Sequence, residues 1–261
     1  TWSATRRAVF LAVCSVVAAG LGVLAYQWLK RPPDVSNPAV EFVAQTPKIP
    51  PKLKHRTVDW PTYGFNAART KHFPTRKVRP PFAGSDWSFQ AGKLLEFSPI
   101  LVGNRLYVQD IDARVYAIDE RNGKIIWKNR VGRLNASAPA YHDGRLFVVN
   151  LDPGQAVALR ARDGKVLWRR PLPGRSESSP LVYKGKLVIF GCECGSVYAL
   201  RARDGKVVWE VKTAGAVKGA LAKGKDNVYG GNYAGEYFAI DADTGRVEWK
   251  REAIGGSFGR G

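Results

Sequence analysis

Val197-Tyr198-Ala199-Leu200-Arg201-Ala202-Arg203-Asp204-Gly205-Lys206-Val207-Val208-Trp209 decides the fold. It reads as a short strand, a tight Asp-Gly turn and a second strand that ends in tryptophan. The pattern recurs at residues 157–168, at residues 115–127 and at residues 237–249. Trp127, Trp168, Trp209 and Trp249 stand 41, 41 and 40 residues apart, and the turn glycines Gly123, Gly164, Gly205 and Gly245 keep the same step. A fixed period near 40, built only from strand-like segments, predicts an all-β fold: a β-propeller with one four-stranded blade per repeat.

Working outward, each repeat opens on small residues and a short apolar run: Ser98–Leu101, Ala138–Tyr141, Ser179–Val182 and Gly219–Ala222. These are the expected innermost strands, with proline tolerated at a strand's start. Turns at Gly103-Asn104, Asp143-Gly144, Lys184-Gly185 and Lys223-Gly224 lead into second strands at Leu106–Val108, Leu146–Val148, Leu187–Ile189 and Val228-Tyr229. The repeats thus cover about residues 95–131, 135–172, 176–213 and 216–252. Asp86-Trp87-Ser88-Phe89 lies one period before Trp127 and reads as an N-terminal strand whose own blade is missing. The expectation is four blades and a stray strand from a ring of seven or eight.

Upstream, residues 8–29 carry no charge, and Tyr26 and Trp28 sit at the end of this run between basic flanks. Such a stretch is long enough to cross a bilayer as a helix. Residues 1–30 therefore read as an uncleaved membrane anchor; a cleaved signal peptide is the rival reading. Residues 31–58 read as a proline-rich spacer, with Pro32, Pro33, Pro38, Pro47, Pro50 and Pro51. The bases of residues 52–80, among them Arg56, Arg69, Lys71 and Arg76, are expected to lie solvated on the domain surface. The propeller takes residues 59–261 and is expected on the extracytoplasmic side of the cell membrane.

The chain carries 41 Lys+Arg against 22 Asp+Glu, a balance that suits an anionic partner. In a four-stranded blade the first and third turns share one face of the disc. That face collects Arg105, Arg145, Lys184, Lys186, Arg121, Lys124 and, at equivalent places in two repeats, Arg160, Arg162, Lys165 and Arg201, Arg203, Lys206. The last six are the candidate anion- or partner-binding residues, and they are also what charged surface turns look like. The second turns carry Asp110, Asp112, Asp152, Glu193 and Glu236 instead. The expected partner is a protein, an anionic lipid surface or an anionic envelope polymer. Nucleic acid is not expected, because Trp87, Trp127, Trp168, Trp209 and Trp249 read as structural and no exposed aromatics interleave with the bases.

Ala-x-Asp-x-x-x-Gly-Lys-x-x-Trp, present as Ala117-Ile118-Asp119…Gly123-Lys124…Trp127, resembles the PQQ-like (quinoprotein-type) propeller repeat. Asp59-Trp60-Pro61-Thr62-Tyr63-Gly64 with Ala67-Ala68-Arg69-Thr70 also looks like the lead-in of bacterial proteins of this group. The resemblance covers residues 59–261 and implies one of two functions. Some members are quinoprotein dehydrogenases that hold pyrroloquinoline quinone and calcium on the ring axis. Others are non-enzymatic binders, such as the propeller component of the outer-membrane protein assembly machinery. The enzymes carry adjacent cysteines beside the quinone, where this chain has Cys192-Glu193-Cys194 with one residue between the sulfurs. The expectation is a binding or scaffolding module without catalytic, cofactor or metal residues; the alternative is a quinoprotein dehydrogenase that uses the quinone and calcium, with its active site partly in missing blades.

Other candidates for chemistry are sparse. Cys192 and Cys194 read as two inert thiols or as partners for a cysteine elsewhere, with a redox-active disulfide as the alternative. His55, His72 and His142 share no motif spacing, and Asp110-x-Asp112 lacks the remaining ligands of a calcium loop. No phosphate-binding glycine loop, zinc-protease helix or nucleophile elbow occurs.

Overall fold

The computed structural model describes residues 4–29, 59–73 and 87–252. The chain divides into two compact units, residues 1–48 and 49–261. Among its described residues the first holds the helix α1 (Ala4–Leu29). Among the described residues no helix is long and apolar enough to cross a membrane, and part of α1 has side chains outside that set. The helix of residues 1–30 is therefore present, while its anchoring role is not shown. The spacer of residues 31–58 lies outside the described residues.

The second unit is four antiparallel sheets, each with its strands in chain order. The first blade comprises β1 (Ile100–Val102), β2 (Arg105–Gln109), β3 (Arg114–Asp119) and β4 (Ile125–Arg130). The second comprises β5 (Ala140–His142), β6 (Arg145–Asn150), β7 (Gln155–Arg160) and β8 (Val166–Pro171). The third holds β9 (Leu181–Tyr183), β10 (Leu187–Cys192), β11 (Ser196–Arg201) and β12 (Val207–Lys212). The fourth holds β13 (Ala222–Lys223), β14 (Asn227–Gly231), β15 (Glu236–Asp241) and β16 (Val247–Glu252). The expected propeller blades are all present. The innermost strands begin two or three residues later than expected, because the Ser-Pro and Ala-Pro pairs precede the ladder rather than start it.

The core lies between sheets. Leu146 and Val148 pack on Ile100, Tyr107 and Val115 of the first blade. The alternate residues Phe147 and Val149 pack on Val188, Phe190 and Leu200 of the third. Both faces of a middle strand are covered, which is why β6 is buried along almost its whole length and reads as a continuous apolar run.

Trp127, Trp168 and Trp209 each join their blade to the next. The indole N–H of Trp127 donates to Ala161 O (2.9 Å), that of Trp168 to Ala202 O (3.0 Å) and that of Trp209 to Ala242 O (3.2 Å). Each ring covers the turn glycine of that next blade: a Cβ on Gly164 would lie 2.5 Å from Trp127, and Gly164 has φ +73°. Only glycine meets both conditions. Burying about 150–250 Å² of indole corresponds to about 4–6 kcal/mol of transfer free energy. Trp87 docks in the same way on Glu120 O (2.8 Å) and Gly123, although residues 87–90 pair with no strand.

A bulge makes this docking possible. In all four blades the pairing of third and fourth strands slips by one residue, after Ala117, Ala158, Ala199 and Ala239. The skipped residue, Ile126, Leu167 or Val208 in the first three blades, turns out to solvent while the tryptophan after it turns toward its neighbour.

Residues 59–73 bear out the expectation of a solvated base at Lys71, which is exposed, and correct it at Arg69. They run along the free edges of the innermost strands, where Trp60 pairs with Leu101, Tyr141 N–H donates to Pro61 O (2.7 Å) and Lys223 N–H donates to Ala67 O (2.7 Å). Arg69 completes the stitch by donating to Ser179 O (2.9 Å), Pro180 O (3.0 Å), Leu221 O (3.0 Å) and Tyr63 O. Burial lowers its pKa to about 10, so it is still charged at neutral pH. The other expected bases of this stretch, at residues 52–58 and 74–80, lie outside the described residues.

Candidate functional site

First and third turns meet on one face of every blade. Glu120 N–H donates to Asn104 O, Ala161 N–H to Gly144 O, Ala202 N–H to Lys186 O and Ala242 N–H to Asp226 O, at 2.8–3.0 Å. A two- or three-residue hairpin turn is thereby bonded to the glycine-closed turn beside it, and the arginines flanking both are brought together.

Two clefts open on this face. The larger, about 770 Å³, lies between the first and second blades and is lined by Arg105, Arg121, Arg160 and Arg162, with Asp119, Tyr107, Tyr141 and Ile126. Tyr107 and Tyr141 stack at 6.3 Å between ring centroids, and the Tyr107 hydroxyl donates to Ala161 O (3.2 Å). Burial raises the Tyr107 pKa. The smaller cleft, about 350 Å³, is lined by Arg145, Lys186, Arg201 and Arg203, with Leu187 and Val208. In both, cations stand over aliphatic side chains, and the bulge residues Ile126 and Val208 form part of the wall.

The turn aspartates hold these arginines in place. Arg121 grips Asp119 with two bonds of 2.6 and 3.0 Å, which lowers the Asp119 pKa to about 2. Arg160 holds Asp163 at 2.7 Å, with Arg162 at 3.5 Å, and the Arg160 hydrogen bond draws the Asp163 pKa to about 2. Arg201 and Arg203 share Asp204 at 3.3 and 3.5 Å. Asp204 is also lowered, first by the Lys206 backbone N–H. One carboxylate thus orients two guanidinium groups without neutralising both.

Of the six candidate residues, Arg160 and Arg162 line the larger cleft and Arg201 and Arg203 the smaller. Lys165 and Lys206 are exposed and line neither; their backbone N–H groups bind Asp163 and Asp204. The tyrosine pair and the bulge aliphatics were absent from the sequence reading. The signal for the bulge aliphatics is faint, an exposed apolar residue one place before Trp127, Trp168 and Trp209.

On the opposite face, Asp110 is buried and accepts from Arg114 N–H (2.9 Å) and from the Tyr116 hydroxyl (2.9 Å). It is a structural turn residue. Cys192 and Cys194 are bonded to each other as a disulfide, which corrects the reading of inert thiols. Glu193, between them, faces Lys218 at 3.5 Å, and Lys218 binds Glu177 at 3.1 Å. Burial and the neighbouring Glu177 carboxylate raise the Glu193 pKa. The space beside Glu177 and Lys218 is about 20 Å³, with Tyr63 and Phe97 among its walls. A tricyclic quinone needs a pocket of some hundreds of Å³; this space among the described residues is smaller, and Lys218 is paired with the Glu177 carboxylate beside it. Among the described residues no cluster of three His, Cys, Asp or Glu could hold a metal ion.

Four blades in chain order, locked by one tryptophan each, define a PQQ-like β-propeller repeat protein. Residues 80–259 match the family model described as "Outer membrane protein assembly factor BamB", and the chain belongs to that family. Among curated proteins it is 33% identical over 117 residues to 1-butanol dehydrogenase (cytochrome c) of Thauera butanivorans, covering 39% of this chain and 17% of that protein. Among solved structures it is similar to the quinohemoprotein alcohol dehydrogenase of Comamonas testosteroni (TM-score 0.63, 21% identity, 76% of this chain and 41% of that one). It is also similar to BamB of Moraxella catarrhalis (TM-score 0.51, 19% identity, 57% and 50%). At these identities the structures share the fold. The chain spans half or less of the length of each of these proteins.

Proposed function

We propose that this propeller is a non-enzymatic binding or scaffolding module that docks an anionic partner on its arginine-lined face. The observation that carries the reading is the pair of neighbouring clefts, each walled by four cations. Guanidinium groups in fixed orientation suit carboxylate and phosphate oxygens, and a rigid disc presents them without ordering cost. The partner is an acidic protein surface or an anionic envelope polymer or lipid. A tether at residues 1–30 would keep the disc at the cell membrane on the extracytoplasmic side. The Cys192–Cys194 bond supports that side, since disulfides persist in oxidising compartments.

The test is fluorescence anisotropy of the full chain with labelled polyphosphate. The variant Arg160→Glu/Arg162→Glu/Arg201→Glu/Arg203→Glu should bind about tenfold or more weakly and lose much of the salt dependence. Equal, salt-independent binding by both proteins would sink the reading.

The likeness to the Thauera butanivorans dehydrogenase favours a second reading, a quinoprotein oxidoreductase that uses pyrroloquinoline quinone and calcium. Calorimetry with both should then give saturable heat; none would retire this alternative.

A further inference from the structure

We propose that the Cys192–Cys194 disulfide is a thiol–disulfide exchange site, opened by a thiol-bearing partner that attacks Cys194 Sγ. The inference is independent of the anion-docking reading.

The bond's placement argues against a purely structural role. It closes a ring over Glu193 alone, and a loop that short removes little chain entropy from the unfolded state. The hairpin it spans is already held by backbone bonds. Cys192 pairs with Ser196, and Gly195 N–H and Val217 N–H both donate to Cys192 O (3.1 and 3.0 Å). Glu193 N–H donates to Arg175 O (2.8 Å), and its carboxylate is tied to Lys218. The turn therefore keeps its shape when the sulfur–sulfur bond opens.

The two sulfurs are not equivalent. Cys192 is fully buried at the end of β10, whereas Cys194 is partly exposed in the turn. Cys194 is the more accessible of the two, and its Sγ lies 3.9 Å from the Tyr198 hydroxyl at the edge of the core. Cys194 N–H donates to Cys192 Sγ at 3.1 Å; a hydrogen bond to the departing sulfur favours its thiolate and makes it the better leaving group.

Attack by a partner thiolate forms a bond from its sulfur to Cys194 Sγ and breaks the Cys192–Cys194 bond. The electron pair leaves on Cys192 Sγ, which takes a proton from water. A second partner thiolate then attacks the partner sulfur of the mixed disulfide and releases Cys194 as a thiolate, which is protonated in turn. Two partner thiols are oxidised to one disulfide while Cys192 and Cys194 are reduced to two thiols. A disulfide-bearing partner drives the reverse.

The experiment uses the full chain carrying Cys14→Ser, which removes the free thiol, with reduced glutathione as the probe. Folded protein treated with millimolar glutathione and then freed of it should take up one maleimide, at Cys194, read by mass, with an unchanged far-UV circular dichroism spectrum, and a second at Cys192 only after denaturation. With oxidised glutathione, the Cys192→Ser variant should form a mixed disulfide at Cys194 about tenfold or more faster than the Cys194→Ser variant forms one at Cys192. If the folded chain takes up no maleimide at glutathione levels that reduce the unfolded chain, the proposal falls. Equal rates for the two single variants would also overturn it, as would reduction only together with loss of fold. Should either variant fail to fold, the maleimide count on the Cys14→Ser chain decides.

Discussion

The third and fourth blades share a backbone and differ in charge. Their outer turns read Arg-Ala-Arg-Asp-Gly-Lys at residues 201–206 and Asp-Ala-Asp-Thr-Gly-Arg at residues 241–246. In both, the glycine has a positive φ (+70° and +77°) and lies under the tryptophan of the preceding blade. In both, the alanine carbonyl accepts that indole. The flanking charges do different work. Arg201 and Arg203 line a cleft, whereas Asp243 reaches back to Lys184 of the third blade at 2.8 Å. That contact lowers the Asp243 pKa. Alanine, glycine and tryptophan make the fold, and the residues between them are free to set what the face binds.

If that division is right, removing a tryptophan has the largest effect and ignores local charge. Trp168→Ala and Trp209→Ala should each lose about 3–5 kcal/mol in denaturant unfolding, although they dock on oppositely charged turns. A clear difference between them would mean that the charges share in the lock. Gly205→Val and Gly245→Val come next, each costing about 2 kcal/mol or more, because the branched side chain meets both the positive φ and the indole. These too should match.

Exchanging charges should leave stability nearly intact and change binding. Arg201→Asp/Arg203→Asp, which copies the fourth blade into the third, should move stability by about 1 kcal/mol or less and weaken polyphosphate binding severalfold. A large stability loss with unchanged binding would reverse the assignment. The smallest effect is that of pH. Asp119 and Asp163 have folded pKa values near 2, below the unfolded value of about 3.9. Their ion pairs therefore contribute stability above the unfolded pKa and lose it as pH falls through about 2. Among the described residues no histidine lines either cleft. Polyphosphate affinity should thus be level between about pH 5 and 8; His142, whose ring packs on Gly185 of the smaller cleft, is the side chain to substitute if a step appears there.

The parts that were legible in the sequence are those the repeat enforces. A tryptophan that must dock, and a glycine that must sit under it, recur at the same step and leave a periodic trace. The third and fourth strands of each blade were readable for that reason. The strap of residues 59–73 was not, because it occurs once and Arg69 looks like any surface base until its carbonyl partners are known. The clefts were half legible. Arg160, Arg162, Arg201 and Arg203 stood out by repetition, and the geometry of a four-stranded blade already put Arg105 and Arg145 on their face. Ile126 and Val208 reach the walls through a bulge that strand alternation conceals. The disulfide was undecided because spacing alone does not distinguish two thiols from a bonded pair.

Hydrogen–deuterium exchange on the full chain, with and without polyphosphate, tests the central claim most directly. Docking on the arginine face predicts slower exchange at residues 103–105, 119–124, 160–165 and 201–206, with residues 110–114, 152–155 and 192–196 unchanged. Protection confined to the latter three segments would contradict it.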